Sequence, residues 1–170
     1  MRPLLVLTGP PAVGKSSTAE SLASVRPRCA VVEVDDLRQF VRTGAAAPWA
    51  GAEGGRQRLL GVRNACAVAS NFIQDGFDVV IADVLTPATA KAYRDLLPGC
   101  LMIRLSAPLD ETWRRAAGRQ VWLTPDEFES LHQQDASDPP RADVTIDVTA
   151  LNMADQLEVT ERSWADLAKI

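Results

Sequence analysis

The chain has 170 residues, enough for one domain with a full hydrophobic core. Its composition is 46% hydrophobic and 24% charged, which is ordinary for a globular protein and excludes a fibrous or low-complexity class. The formal net charge of −4 argues against general binding to nucleic acid or to an acidic membrane, both of which favour a basic face.

Met1-Arg2-Pro3 leads directly into the apolar run Leu4 to Thr8, which is far shorter than a signal-peptide core. The next elements repeat a pattern: short runs rich in Val, Ile and Leu alternate with longer helical stretches. The runs are Cys29 to Val34, Asp78 to Val84, Cys100 to Leu105 and Asp143 to Val148. Several are continuous rather than alternating, as strands covered on both faces of a parallel sheet should be. Between them, helices are expected at Lys15 to Val25, Glu53 to Gln74, Ala88 to Leu97, Leu109 to Ala117, Thr124 to about His132 and Asn152 to Ala168. Thr86 is placed to cap the third, with Pro87 at its first position. Thr124-Pro125-Asp126-Glu127 has the form of a capping box. Gly118 is the expected helix stop, and Gly44 to Gly55 and Asp135 to Arg141 read as loops.

Strand and helix thus repeat five times. The expected fold is an α/β three-layer sandwich on a five-stranded parallel sheet, with residues 1–170 forming a single domain. Ligands of such sheets bind beyond the carboxyl ends of the strands.

The first of those ends carries Gly9-Pro10-Pro11-Ala12-Val13-Gly14-Lys15-Ser16-Ser17, which matches G-x-x-x-x-G-K-[ST] in full, with a strand before it and a helix after it. Glycines let backbone N–H groups turn inward around a phosphate, and the helix adds its positive N-terminal end. Lys15 is expected on the β- and γ-phosphates and the Ser16 hydroxyl on Mg²⁺. Asp83, ending the third run, is the second expected metal residue, acting on the ion or its water shell.

Asp35 and Asp36 follow the second strand. Phosphoryl transfer to a hydroxyl needs a carboxylate to take its proton, and Asp35, the first after the strand, is the expected base. Asp36 serves either the acceptor or the cap of the next helix, and Arg38 would grip an anionic group of the acceptor. Arg114, Arg115 and Arg119 stand before a short insert that reads as a lid, where arginines can close over a triphosphate. Trp49, Arg56, Arg63 and Asn64, with Phe40 and Arg42, could line the acceptor pocket. The lone His132 reads as a surface residue. Cys29, Cys66 and Cys100 form no CxxC pair and read as buried free thiols, which fits a reducing cytosol.

With these motifs in view, the chain resembles the small P-loop phosphotransferases, and among them the chloramphenicol phosphotransferase family. The likeness rests on the glycine loop, on "VEVDDL" after the second strand, on "FIQDGFDVVIADVL" around the third and on the arginine-bearing lid. It implies a nucleoside-kinase-like P-loop fold with a short lid, ATP and Mg²⁺, a small-molecule acceptor with a hydroxyl group, and Asp35 as base. The helical insert after Asp35 would shape the acceptor pocket. The family has two adjacent acids at the third strand, whereas here the first is Ala82. "DDLR" is also similar to the D-x-L-R of adenylate-kinase-type enzymes, where the arginine holds a nucleoside monophosphate, and gluconate-kinase-like enzymes share the plan. The expected activity is therefore a cytoplasmic small-molecule kinase, with an antibiotic among the acceptors to consider, and a nucleoside or nucleotide kinase as the alternative. The chain would work as monomer or homodimer. A guanine-nucleotide switch would carry N-K-x-D, which is absent from the sequence.

Overall fold

A computed structural model describes residues 4–117 and 123–169. Five strands alternate with helices: β1 (Leu4–Thr8), α1 (Lys15–Ser24), β2 (Cys29–Glu33), α2 (Val34–Arg38), α3 (Gly51–Gln74), β3 (Asp78–Ala82), α4 (Pro87–Leu96), β4 (Leu101–Ser106), α5 (Leu109–Ala116), α6 (Pro125–Ser137), β5 (Val144–Asp147) and α7 (Met153–Leu167). The strands form one parallel sheet in the order β2-β3-β1-β4-β5.

The continuous apolar runs are explained by the two faces of the sheet. Successive side chains of β1 point to opposite sides. Leu4 and Val6 join Val79, Ile81 and Met102 beneath α3 and α4, which contribute Val62, Ala65, Cys66, Ala69, Ala90 and Tyr93. Leu5 and Leu7 join Val80, Ile103, Leu105 and Ile146 beneath α1 and α7, which contribute Ala19, Leu22 and Trp164. Both faces are covered, so polar alternation has no place in the central strands.

Caps fix the helices that carry site residues. Thr86 accepts from the Thr89 amide and Thr124 from the Glu127 amide, each in a reciprocal box with proline behind it. Three of the boundaries that differ from expectation bear on the site. β2 stops at Glu33, so Val34 and both following aspartates already lie in α2. Asp36 is therefore not a cap: the N-cap is Glu33, and no side chain caps this helix. Helix α3 opens at Gly51, inside the segment expected to be a loop, and Gly54 is required there because a Cβ would lie 2.1 Å from the Ala47 carbonyl oxygen. Helix α6 continues past His132 to Ser137, where buried Asp135 pairs with Arg104 of β4. Gly118 lies outside the described residues. No helix among the described residues is long and apolar enough to cross a membrane.

Candidate active site

The carboxyl ends of β1, β2 and β3 bring the motif residues together. The loop after β1 leaves Thr8 in a tight path. Gly9 has φ 140°, and a Cβ there would lie 2.2 Å from the Leu105 carbonyl oxygen, so no other residue fits. Gly14 has φ 96°, and Ala12 also takes the left-handed region at φ 62°.

Three side chains hold this loop from behind. Gln156, fully buried on α7, donates through Nε2 to the Val13 carbonyl at 3.2 Å and to Thr18 Oγ1 at 2.7 Å. Arg115 donates to the same Val13 carbonyl and to Gln156 Oε1, both at 3.3 Å. His132 Nε2 lies 3.1 Å from the Pro11 carbonyl oxygen and 3.0 Å from Thr112 Oγ1. Since the Thr112 hydroxyl donates to the Leu109 carbonyl at 2.8 Å, the ring nitrogen is the donor to both oxygens. Pinning these carbonyls outward turns the opposite sides of their peptides, the N–H groups, toward the interior of the loop. Lys15 Nζ folds over it, donating to the Gly9 and Pro10 carbonyls at 2.8 and 2.9 Å. Burial lowers the Lys15 pKa to about 8, against the pull of Asp35, Asp83 and Glu33.

His132 thus corrects the expectation of a surface residue. It is 7% exposed, stacks on Phe128 at 4.9 Å, and burial draws its pKa down. The helix repeat around it gave no sign of this, because its partner is a backbone carbonyl 121 positions away.

Arg115 differs from the mobile lid arginine expected of it. Besides Val13 and Gln156 it donates to Glu111 at 2.6 Å and to the backbone carbonyls of Val148 and Leu151, so its guanidinium is committed to the framework. Arg114 is the exposed arginine of the pair, held among the described residues by Glu111 at 2.7 Å. Arg119 lies outside the described residues. Ala12, Gly14, Arg114, Arg115, Leu151, Met153 and Gln156 surround a cavity of about 270 Å³ on the β5 side of the loop.

On the β2 side lies a much larger cavity, about 950 Å³. Lys15, Ser16, Glu33, Asp35 and Arg38 mark its polar end, and Val41, Ala45, Pro48, Trp49, Leu60 and Phe128 its apolar end. Asp35 stands in the first turn of α2 with its carboxylate 75% exposed. Arg38 donates to it at 2.6 Å. The other arm of Arg38 donates at 2.8 Å to Asp83, whose second oxygen accepts from Tyr93 at 3.1 Å. The side chain of Asp83 is 0% exposed. Burial raises the Asp83 pKa and also that of Tyr93, while burial of Arg38 is outweighed by its two carboxylates.

Of the other expected acceptor residues, Trp49 and Asn64 line the large cavity. Asp36, Arg56 and Arg63 are exposed and do not line it. Arg56 is instead paired with Glu53 on the outside of α3. Phe40 is 73% exposed and, like Arg42, does not face the cavity.

Two residues were missed. Glu33, the last residue of β2, sits beside Lys15 and Ser16. Burial raises its pKa, the Ser16 hydroxyl and Lys15 pull it back, and its Oε1 is buried without a hydrogen-bond partner among the described residues. An unpaired buried carboxylate oxygen next to the motif serine suits a hard cation that keeps most of its ligands from phosphate and water. Ser16 and Glu33 therefore fit Mg²⁺. Asp83 lines the same large cavity, with its two oxygens bonded to Arg38 and Tyr93. No cluster of three His, Cys, Asp or Glu fit to hold a metal occurs among the described residues. The second missed residue is Arg58. It is half-buried in the large cavity, forms no ion pair among the described residues, and burial beside Arg38 lowers its pKa. The pattern E-x-D at the strand end was the available signal for Glu33; Arg58 had none.

This is the architecture of the small P-loop kinases: a five-stranded parallel sheet with helices on both sides and a phosphate loop after the first strand. A gluconokinase from Sinorhizobium meliloti 1021 superposes with TM-score 0.72 at 19% identity, covering 99% of this chain and 96% of that one. Shikimate kinase from Acinetobacter baumannii, in complex with shikimate, gives 0.68 at 18%, covering 98% and 95%. The tunicamycin resistance protein of Deinococcus radiodurans gives 0.63 at 17%, covering 99% and 95%. No protein-family model matches the sequence, and no curated protein matches it.

Proposed function

We propose that this protein is a cytoplasmic small-molecule kinase that moves the γ-phosphoryl group of MgATP to an acceptor hydroxyl. The observation that carries this reading is the shared polar end of the large cavity. Phosphate loop, Lys15, Ser16, Glu33 and the exposed carboxylate of Asp35 meet there, and the rest of the cavity offers mostly apolar wall. That geometry joins a phosphate donor site to an acceptor site with a base at the junction.

The loop amides and Lys15 hold the phosphates. Ser16 and Glu33 hold Mg²⁺, which when bound neutralises phosphate charge. Asp35 accepts the acceptor's hydroxyl proton as its oxygen bonds to the γ-phosphorus, and the bond to the ADP oxygen breaks. Arg114 is the described arginine free to cover the nucleotide, Arg115 sets the loop, and Arg119 stands in the same segment as a further lid candidate. The 270 Å³ cavity by Leu151 and Met153 is the place for the nucleoside. Three free thiols agree with a reducing compartment.

The similar structures include a sugar kinase, a gluconokinase, a shikimate kinase with shikimate bound and a tunicamycin resistance protein, which favours small hydroxylated acceptors including an antibiotic. A second reading, an acceptor with its own anionic group such as a nucleotide, is favoured by unpaired Arg58 and not by Arg38, which two carboxylates already neutralise.

The test is ADP release from MgATP against hydroxylated antibiotics, nucleosides, nucleoside monophosphates and sugar acids, with Lys15→Ala as control. Release dependent on one acceptor class establishes the kinase. Acceptor-independent, Lys15-dependent hydrolysis alone would contradict it.

A further inference from the structure

The bond chain from Tyr93 through Asp83 and Arg38 to Asp35 crosses three elements, and its inner end, Tyr93, does not line the large cavity. Tyr93 is fully buried on α4 among Val6, Ile81 and Met102, and Asp83 gives its hydroxyl a partner at 3.1 Å. Asp83 terminates β3 with its amide bonded to the Leu7 carbonyl at 3.2 Å, so its backbone is fixed by the sheet. Its enclosed carboxylate needs compensation, which Arg38 supplies at 2.8 Å. Arg38 passes over Gly61 of α3, where a Cβ would lie 3.2 Å from Nε. The missing side chain leaves room for the guanidinium to turn toward α2. Its remaining arm meets Asp35 at 2.6 Å.

Both ends of this chain differ in freedom. Asp83 is 0% exposed and Asp35 75% exposed, so the enclosed end can fix the open one and not the reverse. We propose that Tyr93 and Asp83 are positioning residues for the base. They lock the Arg38 guanidinium, and Arg38 aims the Asp35 carboxylate at the acceptor hydroxyl. This deepens the kinase reading and rests on it. It assigns Asp83 to base orientation and leaves the ion to Ser16 and Glu33.

Tyr93→Phe removes one hydroxyl and keeps the ring that fills the core. The expected result is a kcat lower by roughly 10- to 100-fold, the loss that slight misplacement of a reacting group brings, with KM for MgATP unchanged. In an Asp35→Asn background the same substitution should have no further effect, because residues acting as a unit are not additive. Wild-type kcat in folded Tyr93→Phe, or an equal loss with and without Asp35, would overturn the proposal while leaving the kinase reading intact. A readout independent of turnover is the Arg38 guanidinium in NMR. Slow rotation about Nε–Cζ is expected in the wild-type protein, and faster rotation in Tyr93→Phe. Free rotation in the wild type overturns the chain of contacts, whether or not any acceptor is phosphorylated.

Discussion

The two cavities beside the phosphate loop are built on opposite plans. On the β5 side, every group that touches the loop is tied to framework: Gln156 is fully buried, and Arg115 reaches two side chains and three backbone carbonyls. On the β2 side, Trp49 is 47% exposed, Leu60 39%, and the wall from Gly44 to Trp49 has, among the described residues, the side-chain anchor Gln57, which bonds the Ala46 amide at 2.9 Å and the Gly44 carbonyl at 2.8 Å. On the kinase reading proposed above, the difference separates a part that would recognise one invariant group, a phosphate, from a part that would set which acceptor enters. The first needs rigid amides; the second needs shape and a few charges.

Substitutions break this comparison in order of size. Asp35→Asn should lower kcat by roughly 10²- to 10⁴-fold, the contribution of a positioned general base, and leave MgATP affinity unchanged in calorimetry. Lys15→Ala should cost roughly 10²- to 10³-fold in kcat/KM through lost phosphate stabilisation. The same lysine gives a pH signature. Its pKa of about 8 in the free protein rises when phosphate oxygens surround it, so MgATP binding takes up a proton at pH values just above 8 and almost none at pH 6. Calorimetry in buffers of different ionisation enthalpy reads this directly; equal enthalpies in all buffers would show that Lys15 is charged throughout.

On the framework side, Gln156→Ala leaves the Val13 carbonyl and Thr18 short of a partner in the interior. About 1–3 kcal/mol of stability should be lost, and MgATP binding should weaken while acceptor KM holds. On the acceptor side, Arg58→Gln should raise KM roughly tenfold for acceptors with a carboxylate or phosphate and leave neutral acceptors unchanged. A change in MgATP affinity in this variant would erase the division between the two sides. The smallest effect concerns His132. Its pKa in the folded protein lies below the ordinary 6.5, so the unfolded chain takes its proton first as pH falls. The neutral ring's contribution is present above pH 6.5 and is lost below it. His132→Gln, which keeps a donor for the Pro11 carbonyl, should flatten the fall in thermal stability between pH 6.5 and 5 measured on the wild type.

The sheet was legible because each strand declares itself over four to six consecutive residues, and the glycine loop because its geometry is written in eight. Asp35, Trp49 and Asn64, singled out in the sequence, do line the large cavity. What was not legible depends on partners far apart in the chain. Asp83 read as a metal residue from its strand end alone; its bonds to Arg38, 45 positions away, and to Tyr93 on the next helix were not legible. Arg115 read as mobile from its place at a helix end, and its acceptors at Val13, Val148 and Leu151 lie 33 to 102 positions off. Glu33 was hidden in a strand-like run, and which side of α3 faces the cavity, hence Arg58 rather than Arg56 or Arg63, was set only when α3 packed on α2.

The most direct test of the account follows phosphorus itself. Wild-type protein and Asp35→Asn are incubated with MgATP and the acceptor panel, and ³¹P NMR monitors the γ-phosphorus, with nucleotide binding measured on the same samples. The account predicts a new phosphate-ester resonance with one acceptor class in the wild type, and its absence in Asp35→Asn at undiminished nucleotide binding. Inorganic phosphate alone with every acceptor, or full ester formation by Asp35→Asn, would contradict it.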